Sequence, residues 1–297
     1  MASQTRPDKT MASPIIPFTV AALGVALFSV MDGVMKGLSI EIGAYNALFW
    51  RTIVSVLMML PIAIIKRQGW PSRAAWRLHL IRSAISAVMA FTFFWGIVRV
   101  PLAEGIALSF ISPIIALYLA SVLLNEEIGR RAIGASVLGF VGVIVIASGR
   151  IGVGDFSEDA LWGIAAILLS SLFYAGNLVV MRLQARVAGP SEIALMQSVI
   201  VGLILACFWP FFGMIPSAAQ FPAISASAAL TIVSLILLAW AYARAQTQHL
   251  LPVEYTAFIW TSIVGYLMFD EQVTLMTVAG TLLIIAGCLI AARAKPV

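Results

Sequence analysis

Charged residues are scarce in this chain: Asp, Glu, Lys and Arg make up 10% of its 297 residues, and hydrophobic residues make up 62%. A soluble domain has about 25% charged and about 45–50% apolar residues. The composition therefore excludes a soluble domain and indicates an integral membrane protein. Cysteine is scarce as well, and both copies, Cys207 and Cys288, lie inside apolar runs. We read them as small buried hydrophobic residues and not as a disulfide or a metal site.

Sequence motifs of enzyme chemistry are absent too. The chain contains no Walker, zinc, dinucleotide-binding or catalytic-triad motif. It also lacks the alternating pattern of membrane β-barrel strands, and its apolar runs are continuous over about 20 residues, as a membrane-spanning helix requires. The sequence therefore predicts an all-α membrane protein that is not an enzyme and that uses no metal or cofactor.

The apolar runs number ten, and the segments between them are too short to hold a soluble domain. Gly and Pro residues punctuate several of the connections, as expected for turns. The predicted spans are 15–36, 44–65, 79–98, 102–124, 131–149, 160–181, 191–212, 222–243, 250–269 and 274–292.

The basic residues predict the orientation of the chain. With a cytoplasmic N-terminus, 14 Lys and Arg residues fall on the cytoplasmic side and 3 on the opposite side. The positive-inside rule then places both termini in the cytoplasm. The net charge of +5 follows from this placement and does not indicate nucleic-acid binding. Residues 1–14 and 293–297 are predicted cytoplasmic tails, with a signal peptide as the alternative for the first.

An internal duplication becomes visible when the chain is shifted by 145 residues, because the first five spans then superpose on the last five without gaps. The shift predicts two repeats, 15–149 and 160–292, joined by a periplasmic linker at 150–159. Since each repeat has five spans, an odd number, the second must be inverted relative to the first. Inverted repeats build transporters with a site near the membrane midplane. Identities in register include Trp95 with Trp240, Glu126 with Glu271 and Gly142 with Gly287.

Three charged residues fall within the first two spans, where each charge costs at least about 2.5–3.5 kcal/mol and needs a partner or a role. Asp32 lies near the outer end of span 1, and Arg51 lies about two turns into span 2 from the same side. One hypothesis is that both face a polar cavity and contact substrate; the alternative is a structural ion pair between the spans. Lys36 is expected to extend its amine to the membrane surface.

The second repeat carries neutral polar groups at the matching places. Asn177 occupies the repeat position of Asp32, Tyr174 lies close to it, and Gln197 lies next to the repeat position of Arg51. A shared site would therefore be asymmetric. Alternatively, the amides of Asn177 and Gln197 only bond a neighbouring helix.

Span 9 opens with a carboxylate and two aromatic residues. Glu254 follows Pro252, so it either accepts bonds from the free N–H groups of the first helical turn or faces the cavity as a proton or cation site. Tyr255 and Trp260 are five residues apart and do not share one helix stripe, so one is expected in the cavity and the other in the core. Trp95 in span 3 either lines the cavity or packs. His79 is predicted at the cytoplasmic interface, and Gly33, Gly134, Gly142 and Gly280 are among the predicted packing glycines.

Two acidic span ends, LLNEE at 123–127 and LMFDE at 267–271, each precede an apolar span that contains GFVG at 139–142 or IIAG at 284–287. These segments resemble the two EamA domains of the drug/metabolite transporter superfamily. FSVMDGVMK at 28–36 and PVEYTAFIW at 252–260 resemble the subgroup with S-adenosylmethionine uptake carriers and bacterial riboflavin importers. The resemblance covers about 15–292 and implies ten helices around a central cavity. The usual Gly before the acidic residue is replaced by Asn125 and Asp270.

The sequence thus predicts an all-α integral membrane protein with ten transmembrane helices arranged as two inverted five-helix repeats. Its expected function is that of a permease that moves a small planar, ring-bearing metabolite by alternating access, with riboflavin and S-adenosylmethionine as the examples that the resemblance implies. Export of amino acids or toxic metabolites is the alternative within transport, and a non-transporting membrane protein is the alternative outside it. The expected partners are substrate, lipid and a coupling proton bound by Asp32 or Glu254; a monomer suffices, and a homodimer is compatible.

Overall fold

The protein is all-helical throughout the residues that its structure, a computed structural model, describes: 15–65, 71–112, 114–116, 118–119, 130–149, 158–184, 187–242 and 253–292. The predicted tails, the acidic end at 123–127 with Glu126, and residues 150–157 of the predicted linker lie outside this part of the chain. The helices are α1 (Ile15–Ile65), α2 (Arg73–Ile97), α3 (Leu102–Ser109), α4 (Arg130–Ser148), α5 (Glu158–Gln184), α6 (Pro190–Cys207), α7 (Trp209–Phe212), α8 (Phe221–Tyr242), α9 (Ala257–Phe269) and α10 (Leu275–Ala292).

Four helical segments are long and apolar enough to cross a bilayer: Ile16–Pro61, Arg73–Ile97, Glu158–Met181 and Phe221–Leu238. Shorter apolar segments lie in α3, α4, α6, α9 and α10. Each predicted span coincides at least partly with described helix, so the chain is a multi-pass membrane protein. The count of ten spans stays a prediction.

Helix α1 contains two predicted spans that fold back on one another. Gly43 breaks the helix with a φ of 79° and a ψ of 148°, a conformation that residues with a Cβ rarely adopt. Arg51 Nη1 lies 3.5 Å from Met31 Sδ. These residues are 20 apart in the chain, and a straight helix would separate them by about 30 Å. The break at Gly43 therefore makes a hairpin of two helical arms.

The packing pairs of the helices repeat under the 145-residue shift. The first arm of α1 packs on α8, and its repeat mate α5 packs on α2, the mate of α8. The last helices of the two repeats, α4 and α10, form a third extensive contact. The two-repeat architecture is thus expressed in the helix contacts as well as in the sequence.

Glycines let some of these helices approach closely, as predicted. A Cβ on Gly142 would lie 2.6 Å from the carbonyl oxygen of Gly280, and a Cβ on Gly280 would lie 2.6 Å from that of Gly142. The backbones of α4 and α10 are therefore in direct contact. Gly134 differs from the prediction, because a Cβ at this position would meet no atom of the described residues within 4 Å. Cys207 also differs: it is exposed at the end of α6 and is not buried.

Candidate functional site

Asp32 and Arg51 lie on opposite arms of the α1 hairpin and act on each other electrostatically. Asp32 is only 4% exposed. The guanidinium of Arg51 rests on the Phe94 ring of α2, with 5.3 Å between the guanidinium carbon and the ring centre. Such cation–π contacts hold a cation without neutralising its charge.

The two charges nevertheless do not form a contact ion pair. Within the described residues the ion pairs closer than 4.0 Å are Lys36–Glu271, His79–Glu192 and Arg99–Asp159. A structural lock between spans 1 and 2 would bring the Asp32 carboxylate and the Arg51 guanidinium into contact, since an unpaired charge in the interior is costly. Their separation leaves both groups able to bond a ligand or water.

Asn177 and Gln197 bond a neighbouring helix. Asn177 Nδ2 donates to Ser86 Oγ at 2.9 Å, and Gln197 Nε2 donates to the same oxygen at 3.1 Å. Asn177 Oδ1 accepts from Arg82 Nε at 2.7 Å. These amides of α5 and α6 therefore hold α2 in place, and they also position the cation of Arg82.

Arg82 begins a chain of hydrogen bonds that sequence reasoning missed. Arg82 Nη1 donates to Gln184 Oε1 at 2.9 Å, and Gln184 Nε2 lies 2.6 Å from His79 Nδ1. His79 Nε2 then lies 2.9 Å from a carboxylate oxygen of Glu192. His79 is fully buried, so its predicted interfacial position is wrong; partners more than 100 residues away in sequence make its burial possible. The signal that could have found the network is the spacing of His79, Arg82 and Ser86, which places three polar residues on one stripe of a span.

Tyr174 lies on α5 with 43% of its surface exposed. It lies within electrostatic range of Arg82 and of Glu254, which belong to α2 and to the segment before α9. Glu254 is exposed and precedes α9 by three residues. It is therefore outside the first turn of that helix, where a capping role would place it.

The remaining aromatic candidates lie in three different surroundings. Tyr255 packs in the main hydrophobic core with its ring edge-on to Phe110 at 5.3 Å. Trp260 is exposed on α9. Trp95 lines an open apolar groove of about 260 Å³ between α2 and α5, to which no other candidate site residue contributes. The Arg99 guanidinium stacks 3.4 Å above the Trp95 ring centre.

Lys36 joins the two repeats at the far end of α2 from His79. Its amine contacts a Glu271 carboxylate oxygen and donates to the Val100 carbonyl at 2.7 Å. The second carboxylate oxygen of Glu271 accepts from the Leu102 N–H at 2.7 Å and so caps the first turn of α3. Lys36 is 3% exposed. The prediction that it reaches the membrane surface is wrong, because the partly buried carboxylate of Glu271 from the other repeat compensates its charge.

A small crevice lies beside this pair, between α3, α9 and α10. Its lining includes Glu104, Glu271, Thr261 and Thr277, and it has room for about one water molecule. Glu104, which the sequence pattern does not single out, is 1% exposed. Within the described residues, no group of three or more His, Cys, Asp and Glu residues lies close enough to hold a metal ion.

The fold and site together define a helical membrane protein with two repeats and polar groups held in its interior. Residues 16–148 and 161–293 each match the profile of the EamA-like transporter family. The chain belongs to this family, as the resemblance of its acidic span ends implied.

Comparison with known proteins places several transporters among its relatives. The chain is 22% identical to the pseudopaline exporter CntI of Pseudomonas aeruginosa, over 93% of this chain and 95% of the exporter. It is 25% identical to a riboflavin transporter of Rhizobium johnstonii, over 83% of this chain and 80% of the relative. It is 20% identical to an S-adenosylmethionine uptake transporter of Rickettsia prowazekii, over 90% and 89%. A crystal structure that is 17% identical superposes with a TM-score of 0.61, covering 95% of this chain and 100% of that one, which shows a shared fold.

Proposed function

We propose that this protein is a bacterial inner-membrane permease, with ten spans in two inverted repeats and both termini in the cytoplasm, that moves a small organic metabolite by alternating access. The observation that carries the proposal is the separation of Asp32 and Arg51. The two charges lie in the interior and do not touch each other, and the Arg51 guanidinium rests on the Phe94 ring. Asp32 can therefore accept hydrogen bonds from a ligand, and Arg51 can donate hydrogen bonds to it. Membership of a transporter family supports the same conclusion.

The distribution of polar contacts supports alternating access. At one end of α2, Lys36 of the first repeat and Glu271 of the second close the protein. At the opposite end, Tyr174 and Glu254 are exposed. One closed end and one end with exposed polar groups support a transporter that is shut on one side. By the charge distribution of the chain, the Lys36 side is periplasmic.

The favoured substrate is a planar, ring-bearing metabolite with polar groups. The ring of Tyr174 is exposed and can stack, while Asp32, Arg51 and Glu254 offer polar contacts. Relatives named as transporters of riboflavin and of S-adenosylmethionine support this class. An exporter is the second candidate, supported by the relative named as the pseudopaline exporter.

Growth rescue tests the proposal. A bacterial riboflavin auxotroph that lacks its importer would express the chain at limiting riboflavin, beside the Asp32→Asn variant. Asp159→Asn is the matched control, because it makes the same chemical change at an exposed carboxylate. We expect growth with wild type and with Asp159→Asn, and loss of growth with Asp32→Asn. Uptake of labelled S-adenosylmethionine by the same cells is the parallel measurement.

Export is tested by efflux from cells preloaded with labelled riboflavin or S-adenosylmethionine. Accumulation in the wild-type strain favours uptake, and faster efflux favours export. Equal wild-type and Asp32→Asn rates in every assay, with both proteins shown in the membrane, contradict the assignment of the site to Asp32.

A further inference from the structure

The donors and acceptors around His79 admit a single arrangement. A guanidinium only donates, so Gln184 must present its oxygen to Arg82 Nη1, which lies 2.9 Å away. The amide nitrogen of Gln184 then faces His79 Nδ1 at 2.6 Å and donates to it. Nδ1 must therefore be the unprotonated nitrogen of a neutral imidazole. The proton is on Nε2, which donates to Glu192 at 2.9 Å.

A second proton on His79 is incompatible with this arrangement. Protonated histidine donates from both nitrogens, so Nδ1 would need an acceptor where Gln184 now offers a donor. If Gln184 turns its oxygen towards His79, its NH₂ group faces Arg82, which cannot accept. In the observed orientation of Gln184, with Oε1 on Arg82 and Nε2 on His79, the amide cannot serve a doubly protonated imidazole, so it must reorient when the second proton binds.

The charged groups that face His79 from the described elements are few. Glu192 faces it from α6 and accepts the Nε2 bond in both protonation states. The neutral amide of Gln184 contacts His79 from α5. The Arg82 cation bonds the other end of that amide. On its own helix the ring of Trp76 lies edge-on at 6.5 Å. The amide of Gln184 is thus the group that must move when a proton binds.

We propose that His79 is a proton-binding site, and that proton binding there breaks the bond between Arg82 of the first repeat and Gln184 of the second. This inference rests on the proposed transport function, and it names the coupling ion and its position. The bond lies in the α2–α5 contact, at the opposite end of α2 from the Lys36–Glu271 pair. A proton at His79 therefore weakens the contact between the repeats at the end of α2 near Arg82 and Gln184. The contact between Lys36 and Glu271 at the other end is unaffected.

Nitrogen-15 NMR of labelled histidine in the full chain, held in lipid nanodiscs, tests the site without any transport measurement. The chain has two histidines, so a His249→Gln background leaves His79 as the single signal. We expect the neutral ring to carry its proton on Nε2 and to gain a second proton as the pH is lowered. A neutral ring protonated on Nδ1, or a ring that stays neutral until the protein unfolds, overturns the proposal.

Two variants on α2 and its C-terminal end test the link to Arg82. Arg82→Met frees Gln184 to turn its oxygen to His79, so the proton affinity of His79 should rise about tenfold or more, as expected for a new hydrogen bond to a charged group. Arg99→Met removes a positive charge elsewhere near the same helix, and it should leave that affinity within about twofold because the group is distant and solvent-screened. Equal effects of the two changes overturn the link.

Gln184→Leu keeps the Arg82 charge but removes the donor that faces His79 Nδ1. The neutral His79 ring should then populate both tautomers.

Transport measurements separate failure of this inference from failure of the proposed function. His79→Gln reproduces the donor and acceptor of the neutral ring, and His79→Lys reproduces a donor-only cation. With labelled riboflavin or S-adenosylmethionine as probe, His79→Gln should transport at the wild-type high-pH rate at every pH, and His79→Lys at the low-pH rate. A His79→Gln profile that follows the wild-type profile overturns the inference and leaves the transporter intact. If the wild type transports neither probe, the substrate proposal fails, and the NMR titration, which requires only the wild-type ring, still decides the proton site.

Discussion

Lys36 and Glu271 are 235 residues apart in sequence and form a part-buried ion pair between the two repeats. Glu271 divides its two oxygens between the Lys36 amine and the Leu102 N–H, so one carboxylate links α1, the start of α3 and the segment between α9 and α10. The turn that aims it is set by Asp270, which adopts the left-handed conformation with a φ of 53°. The expected glycine position is thus occupied by a residue type that tolerates this conformation.

Breaking this pair should destabilise the protein more than any surface change of equal charge. Lys36→Met leaves the Glu271 carboxylate buried without its counter-charge, and Glu271→Gln leaves the amine in the same state. Each should lower the free energy of unfolding by about 3 kcal/mol. The measurement is the thermal unfolding transition of purified protein in detergent.

The double variant Lys36→Met with Glu271→Gln should recover part of that loss, since neither charge then remains unpaired. Asp159→Asn is the control, because Asp159 is 67% exposed in its pair with Arg99 and exposed pairs contribute about 0–1 kcal/mol. Additive losses in the double variant would contradict the pairing.

The helices and the duplication could be predicted from the sequence because they depend on local hydrophobicity and on the shift of 145 residues. Gly43 is not recognisable as a hairpin point, since a single glycine between two apolar runs does not reveal its φ. The sequence misplaces Lys36 and His79 for one reason. A local pattern assigns a charged or titratable residue near a span end to the membrane surface, whereas Glu271, Gln184 and Glu192 reach them from the other repeat.

Asp32 and Arg51 could be found from sequence, because an ionisable residue in an apolar span stands out by itself. Whether they touch could not be found, since their separation depends on the rotation of the two arms and on the Phe94 ring of α2. Trp95 and Tyr174 show the same limit. Both are aromatic residues in spans, yet Trp95 lines an open apolar groove, whereas Tyr174 lies within electrostatic range of Arg82 and Glu254.

The contact of Gly142 with Gly280 predicts a sharp difference between glycine substitutions in α4. Gly142→Ala would place a methyl group against the Gly280 carbonyl oxygen, and the two backbones would have to separate. We expect a loss of about 1–3 kcal/mol in the free energy of unfolding, as for overpacked cores. Gly134→Ala on the same helix is the matched control, because its Cβ would meet no described atom within 4 Å. The measurement is the thermal unfolding transition of both variants in detergent. An equal shift of the transition temperature in the two variants would mean that α4 and α10 do not touch at Gly142.

Phe94 and Trp95 are neighbours in sequence that face different surroundings, which makes them a matched pair for testing the site. Phe94 supports the Arg51 guanidinium at 5.3 Å, whereas Trp95 lines the groove beside Trp162. Phe94→Leu should therefore reduce transport more than Trp95→Leu. The cation–π contact contributes about 0.5–2 kcal/mol, so the loss in kcat/KM for Phe94→Leu should be roughly 2- to 30-fold. Initial uptake rates at equal membrane expression provide the comparison, and a larger loss with Trp95→Leu would move the site to the groove.

The separation of Asp32 and Arg51 makes a prediction that combines stability with transport. If both groups serve a ligand, Asp32→Asn and Arg51→Met should each reduce kcat/KM by roughly 10- to 100-fold, the range of a lost hydrogen bond to a charged group. Their coupling in the unfolding free energy should stay below about 1 kcal/mol, because no contact between them is lost.

A double-mutant cycle with the two single variants and the double variant measures both quantities in one series, in detergent for stability and in cells for uptake. The Lys36–Glu271 cycle is the internal reference, since a contact pair should show a coupling of about 1 kcal/mol or more. A large coupling for Asp32 and Arg51 with unchanged transport would identify them as a structural pair. Strong loss of transport with weak coupling is the result expected of a ligand-contacting role, because the charges would then matter more to the substrate than to each other.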